Sequence, residues 1–455
     1  MEKRRRLVVV PCPYQGHINP MLQLANILRR NGFAITIAHT FFNSLRPCRH
    51  PEFSFVRLRD GLPLNDVSSW DLASVLLAIN QNCGASLEEE MAALGDRSDA
   101  AVCIIHDELM YFCQAVATRF GVRSVVFRTT SAATCLTRCA ILQLHHQARL
   151  PPLDQGSSED EVPELPHIRF RDLPLPAASD FFKFTQIILN MYTITTASAV
   201  IWNTMSWLEP NELTQIQTKL CKIPIFPIAP IHKIASSSTS ASASSSLLQE
   251  DPICLPWLDK QPPKSVIYVS LGSLAMLTQQ ELEEMAWGLA ESGQPFLWVI
   301  RPGSVRGSDG IGCMPKGFQE KVGDIGCIVE WAPQKEVLAH KAVGGFWSHC
   351  GWNSTLESLS EGVPMLCRPY SGDQKVNARY ISCVWKVGLT LEDWLERKEV
   401  ERVIRRVMVE EDGREMRERG MDVKGRIEDS LRELDGSSSC NLKQLVDLIM
   451  SFSLT

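Results

Sequence analysis

Residues 331–374 read WAPQKEVLAHKAVGGFWSHCGWNSTLESLSEGVPMLCRPYSGDQ. Two apolar runs, 344–348 and 364–368, flank a polar turn and an amphipathic stretch. Strand, turn, helix and strand in that order form the unit of a parallel sheet covered by helices. His349 to Ser354 follow the first strand, and Asn353 and Ser354 are expected to begin the helix. A helix start presents N–H groups and the positive end of its dipole, so it binds phosphate. His349 and the side chains of Asn353 and Ser354 add donors there, while Gly351 lets the backbone approach closely. Trp331 closes an earlier strand and offers a ring for a planar base. Glu357, near the helix start, suits two ribose hydroxyls, as in dinucleotide folds. Asp373 and Gln374 offer acceptors and donors for a polyhydroxylated sugar. Read singly, Ser354 with Glu357 is also a plain capping box, Asp373 a helix cap, Trp331 a core residue and His349 a structural histidine.

The pattern repeats outward from this stretch. Residues 266–271, 296–300 and 328–331 are strand candidates in the same half. Gly272-Ser273, after one of them, supplies a second set of donors. Thr278 and Glu281 form a capping box that opens a helix ending near Gly293. In the first half, 7–11, 33–39, 101–105, 123–128 and 199–203 read as strands. Asn19-Pro20 reads as a helix start, with proline at the first helical position. Residues 236–246 hold only Ser, Ala and one Thr, a composition that suits a linker. The reading divides the chain into 1–235, a linker at 236–250, 251–435, and a last amphipathic helix at 436–455 that docks back on the first half. Ligands of such sheets bind beyond the carboxyl ends of the strands. A cleft served by both halves is therefore expected.

Gln15-Gly16-His17 lies on the turn after the first strand. An imidazole there is a natural base for a hydroxyl near neutral pH. Asp107, at the end of another strand, is placed to fix its tautomer. His106 is adjacent, and because strand side chains alternate, one of the two faces His17.

Composition excludes several classes. The 455 residues are 45% hydrophobic and 22% charged, with a net charge of -6. Those values suit a globular chain of more than one domain and give no basic face for nucleic acid. Fifteen scattered cysteines with no CxxC pair read as reduced thiols of a cytoplasmic protein. No apolar run reaches the roughly 18 residues of a membrane span, and 7–10 are interrupted too soon for a signal peptide. A serine hydrolase wants G-x-S-x-G, a nicotinamide enzyme G-x-G-x-x-G after a strand, and a P-loop enzyme G-x-x-x-x-G-K-[ST]. The sequence has none of these, and the glycines of 303–312 have the wrong spacing.

The 331–374 stretch resembles the signature box of plant secondary-product glycosyltransferases, the family 1 UDP-dependent enzymes of GT-B fold. QGHINP, the His106-Asp107 pair and the Leu-Gly-Ser turn at 271–273 extend the resemblance over essentially the whole chain. It implies two Rossmann-like domains facing an interdomain cleft. By position, Trp331 would stack on uracil and Ala332 bond it through the backbone. Gln334 and Glu357 would hold the ribose. Ser273, His349, Asn353 and Ser354 would hold the diphosphate, and Trp352, Asp373 and Gln374 the sugar. The family pattern selects Asp107 as orienter of His17 and puts Thr129 or Thr130 near the sugar 6-hydroxyl. Glutamine at the last position of the box goes with UDP-glucose as co-substrate. The box departs from the common pattern at Ser348, where threonine is usual, and at Ser371-Gly372.

The resemblance implies an inverting glucosyltransferase without metal or tightly bound cofactor, acting as a monomer on a small lipophilic acceptor. Phenolics, flavonoids, benzoxazinoids, hormones and terpenoid glycosides are the expected acceptor classes. The chain looks closest to the branch containing benzoxazinoid, cytokinin and steviol-glycoside enzymes. A non-catalytic UDP-sugar-binding protein is the alternative. Acceptor contacts are expected from 109–112, 134–144 and 180–192.

Overall fold

The computed structural model describes residues 5–63, 71–95, 101–150, 158–176, 180–192, 196–236, 248–307, 314–391 and 395–452. The chain forms two compact units. One comprises Met1–Gly156, Leu175–Leu247 and Asp429–Thr455, the other Ser157–Pro174 and Leu248–Glu428. The Ser/Ala-rich stretch from 237 to 246 lies outside the described residues, as do Gly310 and Gly312.

The first unit holds seven strands: β1 (Arg6–Val10), β2 (Ala34–Thr40), β3 (Ser54–Leu58), β4 (Ala101–Asp107), β5 (Arg123–Arg128), β6 (Ala199–Trp202) and β7 (Ile225–Pro227). They lie in the order β3-β2-β1-β4-β5-β6-β7, and every pairing is parallel. Strand alternation sends Leu7 and Val9 to one face, against Ile18, Met21 and Leu28 of the helix Gln15–Arg30. Val8 and Val10 point to the other, against Leu76, Ile79 and Leu87 of the helix Leu72–Gly95. Both faces are thus buried, which explains why β1 reads as a continuous apolar run.

The second unit holds β8 (Val266–Ser270), β9 (Phe296–Val299), β10 (Gly326–Val329), β11 (Val343–Ser348), β12 (Met365–Cys367) and β13 (Gly388–Thr390). Their order is β10-β9-β8-β11-β12-β13, again parallel throughout. Ile267 and Val269 pack with Leu282, Met285 and Leu289 of the helix Gln279–Ser292 and with Val400 and Ile404 of Arg397–Met408. The capping box read at Thr278 is present: Glu281 N–H donates to Thr278 Oγ1 at 3.2 Å, and Thr278 N–H to Glu281 Oε2 at 2.9 Å. Gly293 ends that helix in the left-handed conformation at φ +66°.

Three features differ from the sequence reading. The first helix starts at Gln15, not beyond Asn19, and Pro20 lies inside it. Tyr14 C=O accepts from His17 and Ile18 N–H, both at 2.8 Å, so the chain turns helical at once, and proline costs one bond near the helix start.

Residues 157–174, read as part of the first half, group with the second unit. They are held by the helix Gln374–Arg379: Lys375 Nζ donates to Arg171 C=O at 3.2 Å and Arg379 Nε to His167 C=O at 3.0 Å.

The first unit regains the chain at Asp429 rather than at 436. Leu445, Ile449 and Phe452 of the terminal segment join the β1 core, and Asn441 Nδ2 donates to Pro227 C=O at 2.9 Å. No described helix is long and apolar enough to cross a membrane.

Candidate functional site

In each sheet the strand order reverses once, between β1 and β4 and between β8 and β11. Such switch points open a crevice at the carboxyl ends of the strands, where ligands bind. Several of the candidate residues lie at these two places. His17 follows β1 and Asp107 ends β4. Ser273 follows β8 and His349 follows β11.

At the first switch point, His17 Nδ1 lies 2.8 Å from Asp107 Oδ2. A carboxylate accepts, so Nδ1 carries the proton and Nε2 carries the ring's lone pair. Asp107 is fully buried while the His17 side chain is 21% exposed, so the acid is fixed and the imidazole is reachable. Asp107 Oδ1 also accepts from Leu109 N–H at 2.9 Å, which locks the carboxylate plane. His106 points the other way. Its Nε2 meets Gln114 Nε2 at 2.7 Å, and burial pushes its imidazole down to about 4.

Thr129 Oγ1 stands 2.9 Å from His17 Nδ1. It therefore meets the same ring nitrogen that faces Asp107, a contact absent from the sequence reading. Thr130 instead donates to Glu108 Oε1 at 3.2 Å. Cys12 is buried beside the pair, and burial together with the Asp107 charge pushes its thiol well up, so it stays protonated and neutral.

At the second switch point, β11 ends at Ser348 and the helix Trp352–Glu361 begins four residues later, capped by Gly351 with no side-chain cap. Ser354 and Glu357 therefore do not form a capping box, and the helix starts one residue before Asn353. Ser354 Oγ and Glu357 Oε2 both accept from Gln334 Nε2, at 2.9 and 2.7 Å. Tyr268 OH donates to Gln334 Oε1 at 3.3 Å. Tyr268 was not singled out in the sequence, because within β8 it reads as one apolar residue among others. Burial raises the Glu357 carboxyl.

His349 sits between two glycines. A Cβ on Gly272 or Gly351 would come within 2.5 Å of its Nε2. Enclosure pushes the His349 imidazole down to about 4, so it is neutral at ordinary pH. The Trp352 indole is 3% exposed and meets Trp385 at 6.2 Å. It packs in the core, and what it can give a ligand is its backbone N–H in the first helical turn.

Asn377 Nδ2 donates to Cys350 C=O at 2.9 Å and to Asp373 Oδ2 at 3.0 Å. It ties the loop after β12 to the turn after β11. Gln374 Oε1 accepts from Tyr370 and Ser371 N–H at 2.8 and 3.1 Å, which fixes the orientation of its amide. Trp331 is half-buried just beyond β10, and Ala332 is buried.

Of the apolar stretches expected at the acceptor, Met110 and Leu144 are fully buried core. Phe182 is 78% exposed, beside Phe181, whose ring lies 4.7 Å from His145.

Residues 250–418 match the family described as UDP-glucoronosyl and UDP-glucosyl transferase. The chain is 44% identical over 451 residues to flavonol 3-O-glucosyltransferase UGT76E12 of Arabidopsis thaliana, covering 98% of this chain and 97% of the relative. It is 46% identical over 441 residues to UDP-glycosyltransferase 76E11 of the same plant, covering 96% of each. Among solved structures it is similar to Phytolacca americana UGT2 complexed with UDP-2fluoro-glucose and pterostilbene. That similarity has a TM-score of 0.82 at 25% identity over 98% of this chain and 100% of that one. Two parallel α/β units, matches along nearly the whole chain and a solved relative holding both UDP-sugar and small acceptor converge: the chain belongs to the family 1 UDP-glycosyltransferases of GT-B fold, which use a UDP-sugar donor and a small-molecule acceptor.

Proposed function

We propose that this protein transfers glucose from UDP-glucose to a hydroxyl or amine of a small lipophilic plant metabolite, with inversion at the anomeric carbon. The observation that carries the reading is the 2.8 Å contact between His17 Nδ1 and the buried Asp107 carboxylate. A non-catalytic UDP-sugar-binding protein would have no use for a base with a fixed tautomer.

His17 Nε2 takes the acceptor proton. The acceptor oxygen or nitrogen forms its bond to the anomeric carbon as the bond from that carbon to the UDP oxygen breaks. The electron pair leaves with UDP. Asp107 stabilises the imidazolium that forms, and Thr129 helps to hold the ring. Developing charge on the diphosphate is met by Ser273, neutral His349, Asn353, Ser354 and the first-turn N–H groups of Trp352–Glu361. Trp331 stacks on uracil and Ala332 bonds it through the backbone. Gln334 and Glu357 take the ribose hydroxyls. Asp373, the Gln374 amide and the Trp352 backbone take the sugar.

Flavonols, phenolics and related hydroxylated compounds are the favoured acceptors, and the name of the Arabidopsis relative points the same way. We place the enzyme in the cytoplasm. Its fourteen described cysteines are all free thiols, which suits a reducing compartment. A single chain carries both base and donor groups, which supports activity as a monomer.

The test is a panel of hydroxylated acceptors with UDP-glucose, read by the mass increase of the product, for the natural chain and His17→Ala. The natural chain should give product while the variant binds UDP but turns over at most about a hundredth as fast. UDP binding without product across the panel would favour the non-catalytic reading, and near-normal turnover by His17→Ala would remove His17 as the base.

A further inference from the structure

We propose that Cys12, His17 and Asp107 together form a binding site for a borderline-soft divalent cation, with zinc(II) the best fit. The thiol sulfur, a ring nitrogen and a carboxylate oxygen of these residues lie within 4.8 Å of one another. It is the one such group of three donors among the described residues. Tetrahedral zinc, with bonds of about 2.3 Å to sulfur and 2.0–2.2 Å to nitrogen and oxygen, places its ligands roughly 3.4–3.6 Å apart. The 2.8 Å contact between Nδ1 and Oδ2 then has to open and the longest separation has to close. The first shift is under about an ångström and the second at most about 1.4 Å, within the reach of side-chain rotations.

The donors arise from the same topology that builds the base. Cys12 lies two residues beyond β1, His17 in the first turn of the following helix, and Asp107 at the end of neighbouring β4. Cys12 and Asp107 are fully buried while His17 is partly exposed. The ion therefore has two fixed inner ligands and is approached from the imidazole side. Three protein ligands leave a fourth position for water, the arrangement of an open zinc site. One sulfur with one nitrogen selects zinc over magnesium or calcium, which require oxygen ligands. On binding, the Cys12 thiol releases its proton to solvent and a thiolate–zinc bond forms. No oxidant is involved.

The consequence for activity rests on the reading of His17 as base. An ion bound here takes both ring nitrogen and carboxylate from each other, so the hydrogen bond that sets the tautomer is lost. Zinc then inhibits transfer while leaving the donor groups of the other unit untouched.

The full chain is titrated with zinc(II) in competition with a chromophoric chelator, and with cobalt(II) as a spectroscopic stand-in. Cys12→Ser and Cys12→Ala are tested alongside, with metal-free transfer as the check that each is folded. The natural chain should bind one zinc that the variants lose, with affinity reduced at least about tenfold. Its cobalt form should show a thiolate-to-cobalt charge-transfer band that both variants lack, and magnesium should not compete. Equal zinc affinity in the natural chain and both variants, or a cobalt form without the thiolate band, overturns the site. If zinc binds through Cys12 and transfer continues undiminished at saturation, the site stands and the assignment of His17 as base fails.

Discussion

Gly272 and His349 are bound by a steric constraint: a single carbon added to Gly272 would meet the imidazole at 2.5 Å. Gly272 also holds φ +75°, a region costly to side chains. Gly272→Ala is expected to lose about 1–3 kcal/mol of stability and to push His349 out of line with the helix start. Thermal unfolding and UDP titration by calorimetry read the two effects. Unchanged UDP affinity in a destabilised variant would sever His349 from donor binding.

Asp107→Asn keeps the shape of the residue but lets an amide NH₂ face the ring. The base then has no fixed tautomer and the imidazolium no counter-charge. Turnover should fall by about 10²–10⁴, with UDP affinity within about twofold of the natural chain, because the donor groups belong to the other unit. Steady-state kinetics with UDP titration tests this, and a loss of UDP affinity equal to the loss of rate would contradict it.

Glu357 shares Gln334 Nε2 with Ser354. Glu357→Gln removes the charge that strengthens ribose hydrogen bonds, bonds to a charged group being worth about 1.5–3 kcal/mol. UDP affinity should drop about tenfold to a hundredfold. UMP and uridine should weaken in parallel, since they keep the ribose. A variant that discriminated only among sugars would place Glu357 elsewhere in the site.

Stability should fall in mild acid. Burial pushes His39, His106 and His349 down to about 4, against about 6.5 in an unfolded chain. Between those values the unfolded chain takes up protons that the folded chain refuses. Their contribution is therefore complete above about pH 6.5 and is lost toward 4. Glu209, held up to about 7 by burial, and Glu357, raised by the same cause, work in the opposite sense. Burial lowers His50 as well, so the histidines outnumber the two carboxyls and stability is expected to decline as the pH falls from 7 to 5. Urea midpoints measured from pH 7 to 5 should decline, and a rising midpoint would refute the balance.

Leu445 is fully buried in the β1 core. Leu445→Ala should cost about 2–5 kcal/mol, seen as a lower unfolding midpoint, while kcat at low temperature stays near normal. A surface-like loss of under about 0.5 kcal/mol would mean that the terminal helix is not docked in solution.

Much of this was legible in the chain because local physics and function coincide. The apolar runs of β1, β5, β8 and β11 are buried on both faces and announce themselves without context. Thr278, Glu281 and Gly293 signal one helix at both ends. The edge strands β3 and β13 and the three-residue β7 were invisible, because short or partly exposed strands carry little apolar pattern and Pro227 argues against one. The start of the first helix was misplaced because Pro20 mimics a first-turn proline. Alternation along β4 left either His106 or Asp107 to face His17, and the family resemblance chose Asp107; Thr129 at the same nitrogen depends on how β5 ends beside β4, which one sequence does not encode locally. The docking of 157–174 rests on Arg379 and Lys375, more than 200 positions away, and has no local signature.

The terminal helix closing the first unit has a consequence for biosynthesis. Translation delivers β1 and its apolar face early, yet Leu445, Ile449 and Phe452 emerge only after the whole second unit has been made. Until then the nascent first unit carries an uncovered hydrophobic strip, the kind of surface that recruits chaperones or self-associates. A fragment ending before the second unit should keep that strip permanently exposed. Residues 445–452 must therefore be made before the first unit is fully folded.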